Sequence, residues 1–187
     1  MKKNLITICI ILITSISTHA QIVKLGIKAG INYSNQTGST ILVNSTNYKT
    51  EAITNYHFGL VAELPLGESF AFQPEVLYST IGASYVGVVG NIKNELGYIS
   101  VPVLAKFNLS KTFSLDLGPQ ASFLVSNKEN IVLDDTKSFD FGAAAGLGIK
   151  VTKSIFLQGR YVVGLSEAST TAQVKNSVVQ ISAGFYF

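Results

Sequence analysis

S-V-V-Q-I-S-A-G-F-Y-F, residues 177–187, closes the chain. Val179, Ile181, Ala183, Phe185 and Phe187 fall on one face of a strand. Gln180, Ser182, Gly184 and Tyr186 fall on the other, and only Val178 is out of step. Side chains alternate across a strand, so a period of two with one apolar face marks a strand whose faces meet different media.

The same period recurs seven times upstream. Residues 23–33 set Val23, Leu25, Ile27, Ala29, Ile31 and Tyr33 against Lys24, Gly26, Lys28, Gly30 and Asn32. Residues 54–64 set Tyr56, Phe58, Leu60, Ala62 and Leu64 against Asn55, His57, Gly59, Val61 and Glu63. Further strands are expected at about 70–80, 96–109, 112–125, 138–151 and 154–166, with Gln73, Glu75, Lys106, Asp116, Asp140, Lys150, Gln158 and Arg160 on their polar faces. Lysines repeated on one strand face are out of place in a soluble core but suit a barrel interior.

The N-terminus indicates export. Lys2 and Lys3 precede a short apolar run, and Thr18-His19-Ala20 is a small-x-small cleavage site. Residues 1–20 therefore read as a signal peptide cleaved after Ala20, and 21–187 as one domain. The apolar run is too short to span a bilayer comfortably. Cys9 lies inside that run, not after it, which excludes a lipoprotein reading and leaves the mature chain without cysteine or disulfide. Removing Lys2 and Lys3 takes the basic count from 14 to 12 against 11 acidic residues, a net charge near +1. With no dense basic cluster, nucleic acid is not expected as a partner.

Beyond residue 20 the chain stays hydrophobic, yet no run of 18 apolar residues occurs. An exported, hydrophobic chain without helical spans fits a closed membrane barrel, since only helices and barrels satisfy their backbone in lipid. Connections alternate in length: long polar segments near 34–53, 81–95, 125–137 and 167–176, short turns at 65–69, 110–111 and 152–153. Short periplasmic turns and long outer loops are the asymmetry of outer-membrane barrels. Strands of about eleven residues at ~3.3 Å rise and ~40° tilt span roughly 28 Å, which matches the lipid-facing band. Outward aromatics fall in two bands: Tyr33, Tyr56, Phe58, Tyr78, Phe123, Phe139 and Phe141 towards the long loops, and Phe70, Phe72, Phe107, Phe113, Phe185 and Phe187 towards the short turns. These are the interfacial girdles of such a barrel. The fold expected is all-β, an eight-stranded antiparallel up-and-down transmembrane β-barrel of the bacterial outer membrane.

Five clusters carry a family resemblance: G-I-K-A-G at 26–30, F-Q-P-E-V-L-Y-S at 72–79, Y-I-S-V-P-V-L at 98–104, L-G-P at 117–119, and G-F-Y-F at 184–187. Gly142 to Gly148, Arg160-Tyr161 and Gly164-Leu165 add to it. In order and spacing the chain resembles the small outer-membrane β-barrel proteins of Bacteroidota, the porin family or outer membrane protein β-barrel domain, over nearly all of its mature length. A terminal aromatic strand also resembles the signal read by the barrel assembly machinery, which gives Phe185 and Phe187 that role and makes the machinery and outer-membrane lipid the expected partners. Pro74, Pro102 and Pro119 sit mid-strand, where each removes a ladder donor, so a bulge or a local break is expected at each.

Inward charges are Lys24, Lys28, Lys106, Lys150 and Arg160 against Glu63, Glu75, Asp116 and Asp140. Eight strands enclose a space that side chains can fill, and buried charges need partners. A paired charge network plugging the lumen is the expectation; a narrow ion or small-solute path is the alternative. His57, the only histidine of the mature chain, faces inward near the outer end of its strand, which keeps a lipid-modifying enzyme as a third reading. No nucleophile motif accompanies it, and no Cys/His cluster suggests a metal or cofactor. The Asp134-Asp135 pair is read as solvated. The chain is thus read as a non-enzymatic barrel with a structural or interaction role through its outer loops, for a surface ligand the sequence does not name.

Overall fold

Period-two alternation becomes a wall of antiparallel strands in the computed structural model, which describes residues 23–38, 41–43, 46–87, 90–129, 138–166 and 174–187. Nine strands follow in order: β1 (Lys24–Gly38), β2 (Ile41–Val43), β3 (Thr46–Pro65), β4 (Phe70–Gly87), β5 (Gly90–Asn108), β6 (Phe113–Glu129), β7 (Phe139–Lys150), β8 (Ile155–Gly164) and β9 (Val174–Tyr186). Each long strand pairs with its sequence neighbours, and β1 pairs with both β3 and β9, so eight strands close into a barrel. The short β2 pairs only with the start of β3 and adds a ninth strand outside the ring. Residues 1–20, expected to be a signal peptide and including Cys9 and His19, and the Asp134-Asp135 pair lie outside the described residues.

Inside and outside follow the alternation. Leu25, Ile27, Ile31, Tyr33, Leu60, Ile181 and Phe185 are exposed on the outer surface, while Lys28, Asn32, His57, Glu63, Glu75 and Arg160 are buried. A soluble protein would not expose so much contiguous apolar surface; a lipid-facing wall must. Cross-strand pairs join the girdle aromatics: Phe58 with Tyr78 at 5.6 Å and Phe123 with Phe139 at 5.3 Å between ring centres at one end, Phe70 with Phe107 at 5.3 Å at the other.

All four segments read as long loops are partly wall. β1 runs to Gly38 and β3 begins at Thr46, β4 and β5 run on until Gly87 faces Gly90, β6 extends to Glu129, and β9 begins at Val174. Backbone pairing thus continues past the point where the sequence alternation fades.

The short turns are built locally. In the β5–β6 turn the Ser110 hydroxyl accepts from the Thr112 and Phe113 amides; in the β7–β8 turn Thr152 does the same for Ser154 and Ile155. Gly67, with φ of 150°, takes a conformation in the β3–β4 turn that L side chains disfavour.

The mid-strand prolines open local breaks. Pairing of β4 with β5 lapses between Pro74 and Leu77, and pairing of β5 with β6 between Pro102 and Ala105, each resuming in the same register. Pro119 lies opposite that second lapse, which also takes in Gly118, while its other edge keeps the β6–β7 ladder unbroken. Register shifts fall elsewhere, between Ala52 and His57 and at Gly97/Tyr98.

Candidate functional site

The interior has two chemically distinct parts. Towards the short turns, β1, β3, β4, β5, β8 and β9 each send a long polar side chain inward. Glu63 accepts from Lys24 at 2.9 Å and from Lys106 at 2.8 Å, and the Tyr186 hydroxyl donates to it at 3.2 Å. Glu75 accepts from Lys28 at 2.8 Å and takes both terminal nitrogens of Arg160, at 3.0 and 2.6 Å. The two-pronged guanidinium contact fixes geometry as well as charge.

Two glutamines join these centres. Gln73 accepts from Lys106 and donates to Glu75 at 2.7 Å. Gln158 accepts from Lys28 and Arg160 and donates to Asp116, which also accepts from Ser114. Lys24, Lys28, Glu63, Glu75, Lys106, Asp116 and Arg160 thus form one continuous hydrogen-bonded system. Removing charges from water costs several kcal/mol per ion unless partners replace the lost solvation, and here each carboxylate of the two glutamates meets two cations.

Two charges expected in this system stand apart. Lys150 donates to Asn108 at 3.1 Å near the short-turn mouth. Asp140 lies towards the long-loop end, accepting from Ser166 at 2.6 Å and Asn176 at 2.9 Å. The two glutamine bridges and Tyr186 were visible in the sequence only as inward polar residues; which of them link carboxylates depends on strand stagger.

Above the charged layer the polar groups are neutral. Asn32 donates to the Tyr56 and Thr80 carbonyls, which fixes its Oδ1 as an acceptor. His57 Nδ1 therefore donates to Asn32 Oδ1 at 2.7 Å, and its Nε2 accepts from the Ser182 hydroxyl at 2.8 Å. Ser182, His57 and Asn32 stand in the order nucleophile, base and orienting group. All three are buried, and His57 is only 1 % exposed. A reacting carbonyl has no approach to this serine, so the trio acts as a hydrogen-bonded strut. An apolar cluster that includes Ile81, Leu96, Tyr98, Leu104, Val162 and Val178 also fills the interior. A cavity bordered by Ile81, Val162, Val178, Gln120, Asp140 and Gln180 holds about 20 Å³, room for about one water by the usual requirement of ~10–15 Å³ each. Among the described residues no group of His, Cys, Asp and Glu could hold a metal ion.

The architecture has clear relatives. Neisserial surface protein A shares 13% identity, with a TM-score of 0.60 over 87% of this chain and 97% of that one. Ail, the attachment invasion locus protein of Yersinia pestis, solved with the heparin analogue sucrose octasulfate, shares 14% at a TM-score of 0.53 over 88% and 99%. Outer membrane protein OprG from Pseudomonas aeruginosa shares 12% at 0.50 over 88% and 95%. At these identities the likeness establishes the fold. No curated protein matches the chain significantly in sequence. The family described as outer membrane protein beta-barrel domain matches residues 19–169, most of the chain. The chain belongs to that family and is a barrel of the bacterial outer membrane.

Proposed function

We propose that this barrel is a non-enzymatic, non-conducting scaffold that holds an interaction surface outside the cell. The observation that carries this reading is the filled lumen. Lys28, Glu75 and Arg160 meet across the barrel with their side chains 1 % exposed or less. An ion crossing here would have to break charge-assisted hydrogen bonds between fully buried side chains. The long-loop end supports the second half of the reading, because β4 and β5 stay paired out to Gly87 and Gly90 and raise the hairpin tip above the aromatic girdle. Ail, crystallised with a heparin analogue, illustrates that this fold can present a binding surface. The terminal strand with Phe185 and Phe187 serves assembly in the same reading, with export by a signal peptide cleaved after Ala20.

Planar-bilayer recording of the refolded protein tests the scaffold role: electrical silence is expected, and stable unitary openings would replace the proposal with a channel. Shortening the β4–β5 hairpin should then abolish cell-surface binding while leaving heat-modifiable migration intact. A His57→Ala protein that loses a lipid-modifying activity of the wild type would establish an enzyme instead.

A further inference from the structure

Two of the short turns and the ends of β1 and β7 bring lysines to one side of the short-turn mouth. The Lys150 amide donates to the Thr112 carbonyl at 2.7 Å, which clamps the β5–β6 turn carrying Lys111 against the end of β7. The Tyr186 amide donates to the Ser154 carbonyl at 2.7 Å, which holds the β7–β8 turn with Lys153 beside β9 and, across β9, Lys24 of β1. The result is a cleft of about 440 Å³ lined by Lys24, Lys111, Lys150 and Lys153, with Phe156 and Tyr186 among its walls. Lys24 is engaged by Glu63. Among the described residues no carboxylate pairs with Lys111, Lys150 or Lys153. Lys106, beneath the aromatic wall at 5.7 Å from the Phe156 ring centre, adds a buried positive charge already matched by Glu63.

Like charges gathered at one mouth repel one another, and three unmatched ammonium groups around one cleft favour an anion there. The cleft also borders the lipid-facing wall: Val151 and Ile155 line it and are exposed to the outside. In an outer-membrane barrel the short turns face the periplasm, at the level of the inner-leaflet headgroups. We propose that this cleft is a binding site for an anionic phosphate group, supplied by an inner-leaflet phospholipid whose chains lie along Val151 and Ile155. Lys111 and Lys153 are its principal ligands because no carboxylate pairs with them among the described residues and they sit on the turns. Lys150, held by Asn108, faces the same cleft. The proposal does not depend on whether the lumen conducts.

The test is a titration of the ¹⁵N-labelled, refolded barrel in neutral detergent micelles. Short-chain phosphatidylglycerol, short-chain phosphatidylcholine and inorganic phosphate are added in separate series, and the Lys111, Thr152 and Lys153 amide shifts are followed. Phosphatidylglycerol should shift these amides saturably and more tightly than phosphatidylcholine. The double variant Lys111→Gln/Lys153→Gln should weaken that binding about thirtyfold, two lysines at the usual surface contribution each, with heat-modifiable migration unchanged. Saturation by inorganic phosphate over the same range would keep the site and make a soluble phosphate its ligand. Equal response to both lipids, unaltered in the double variant, or no response to any series, overturns the proposal.

Discussion

At the short-turn end of the lumen, carboxylates meet lysines and an arginine; at the long-loop end the buried polar groups are neutral, apart from Asp140. Glu63 and Glu75 each bind two cations. Asp140 is held by a serine and an asparagine alone, and no cation pairs with it among the described residues. Both halves are filled, but the lower one is held by interactions that fail badly when one member is lost. The upper one rests on neutral hydrogen bonds and apolar packing around Ile81, Leu96 and Val178. Coulombic pairing gives directional strength at the cost of dependence on every partner; neutral packing degrades more gradually.

Removing one partner below should have the largest effect. Glu75→Ala strands Lys28 and Arg160 without their carboxylate and should destabilise the barrel by about 3–5 kcal/mol, read from urea unfolding of protein refolded into vesicles. An unchanged midpoint would break the contrast between the halves. Replacing Lys28, Glu75 and Arg160 together with methionines should cost far less than the single change, since the penalty lies in the unpaired charge.

A steric change in the same half should come next. The Phe156 ring lies over Gly184 and stacks on Tyr186 at 4.7 Å between centres, and a Cβ at Gly184 would run into the far edge of the Phe156 ring. Gly184→Ala should cost about 1–3 kcal/mol through displacement of that ring, checked by the same unfolding curve.

In the upper half, His57→Leu removes the links to Asn32 and Ser182 and should cost about 1–2 kcal/mol. The smallest effect is expected for Asp140→Asn, within about 1 kcal/mol, because an amide can keep one of the two hydrogen bonds and no described cation pairs with the charge. A loss for Asp140→Asn as large as that for Glu75→Ala would show a cation held at Asp140 and erase the distinction.

Much of this was legible in the residues. Alternation gave the face of every wall strand, and with it the inward position of all nine charged residues, because lipid on one side and a crowded lumen on the other impose opposite demands at every second position. Strand length was not legible, since backbone pairing of residues 81–87 with 90–96 continues where the sequence no longer alternates cleanly between apolar and polar. The inward apolar residues were hidden for a related reason. Leu77, Leu96, Leu104 and Val162 line the interior, and in sequence each reads as a flaw in the alternation. Which charges pair depends on stagger around the barrel. Lys28 and Gln158 touch across 130 residues of chain, and nothing local to either position specifies that meeting.

That distance also bears on timing. Lys28 waits for Gln158, His57 for Ser182 and Glu63 for Tyr186, over separations of 130, 125 and 123 residues. The last two partners lie on β9, the strand that also seals the seam against β1. Until β9 arrives, β1 presents an open edge that lipid cannot satisfy, and the glutamate and histidine each lack one hydrogen bond. Ring closure and completion of the interior therefore go together, late in folding and long in loop. Interrupting refolding at successive times and separating the products without boiling should yield closed barrels and unfolded chain; a stable half-ring would show that the seam and the interior mature separately.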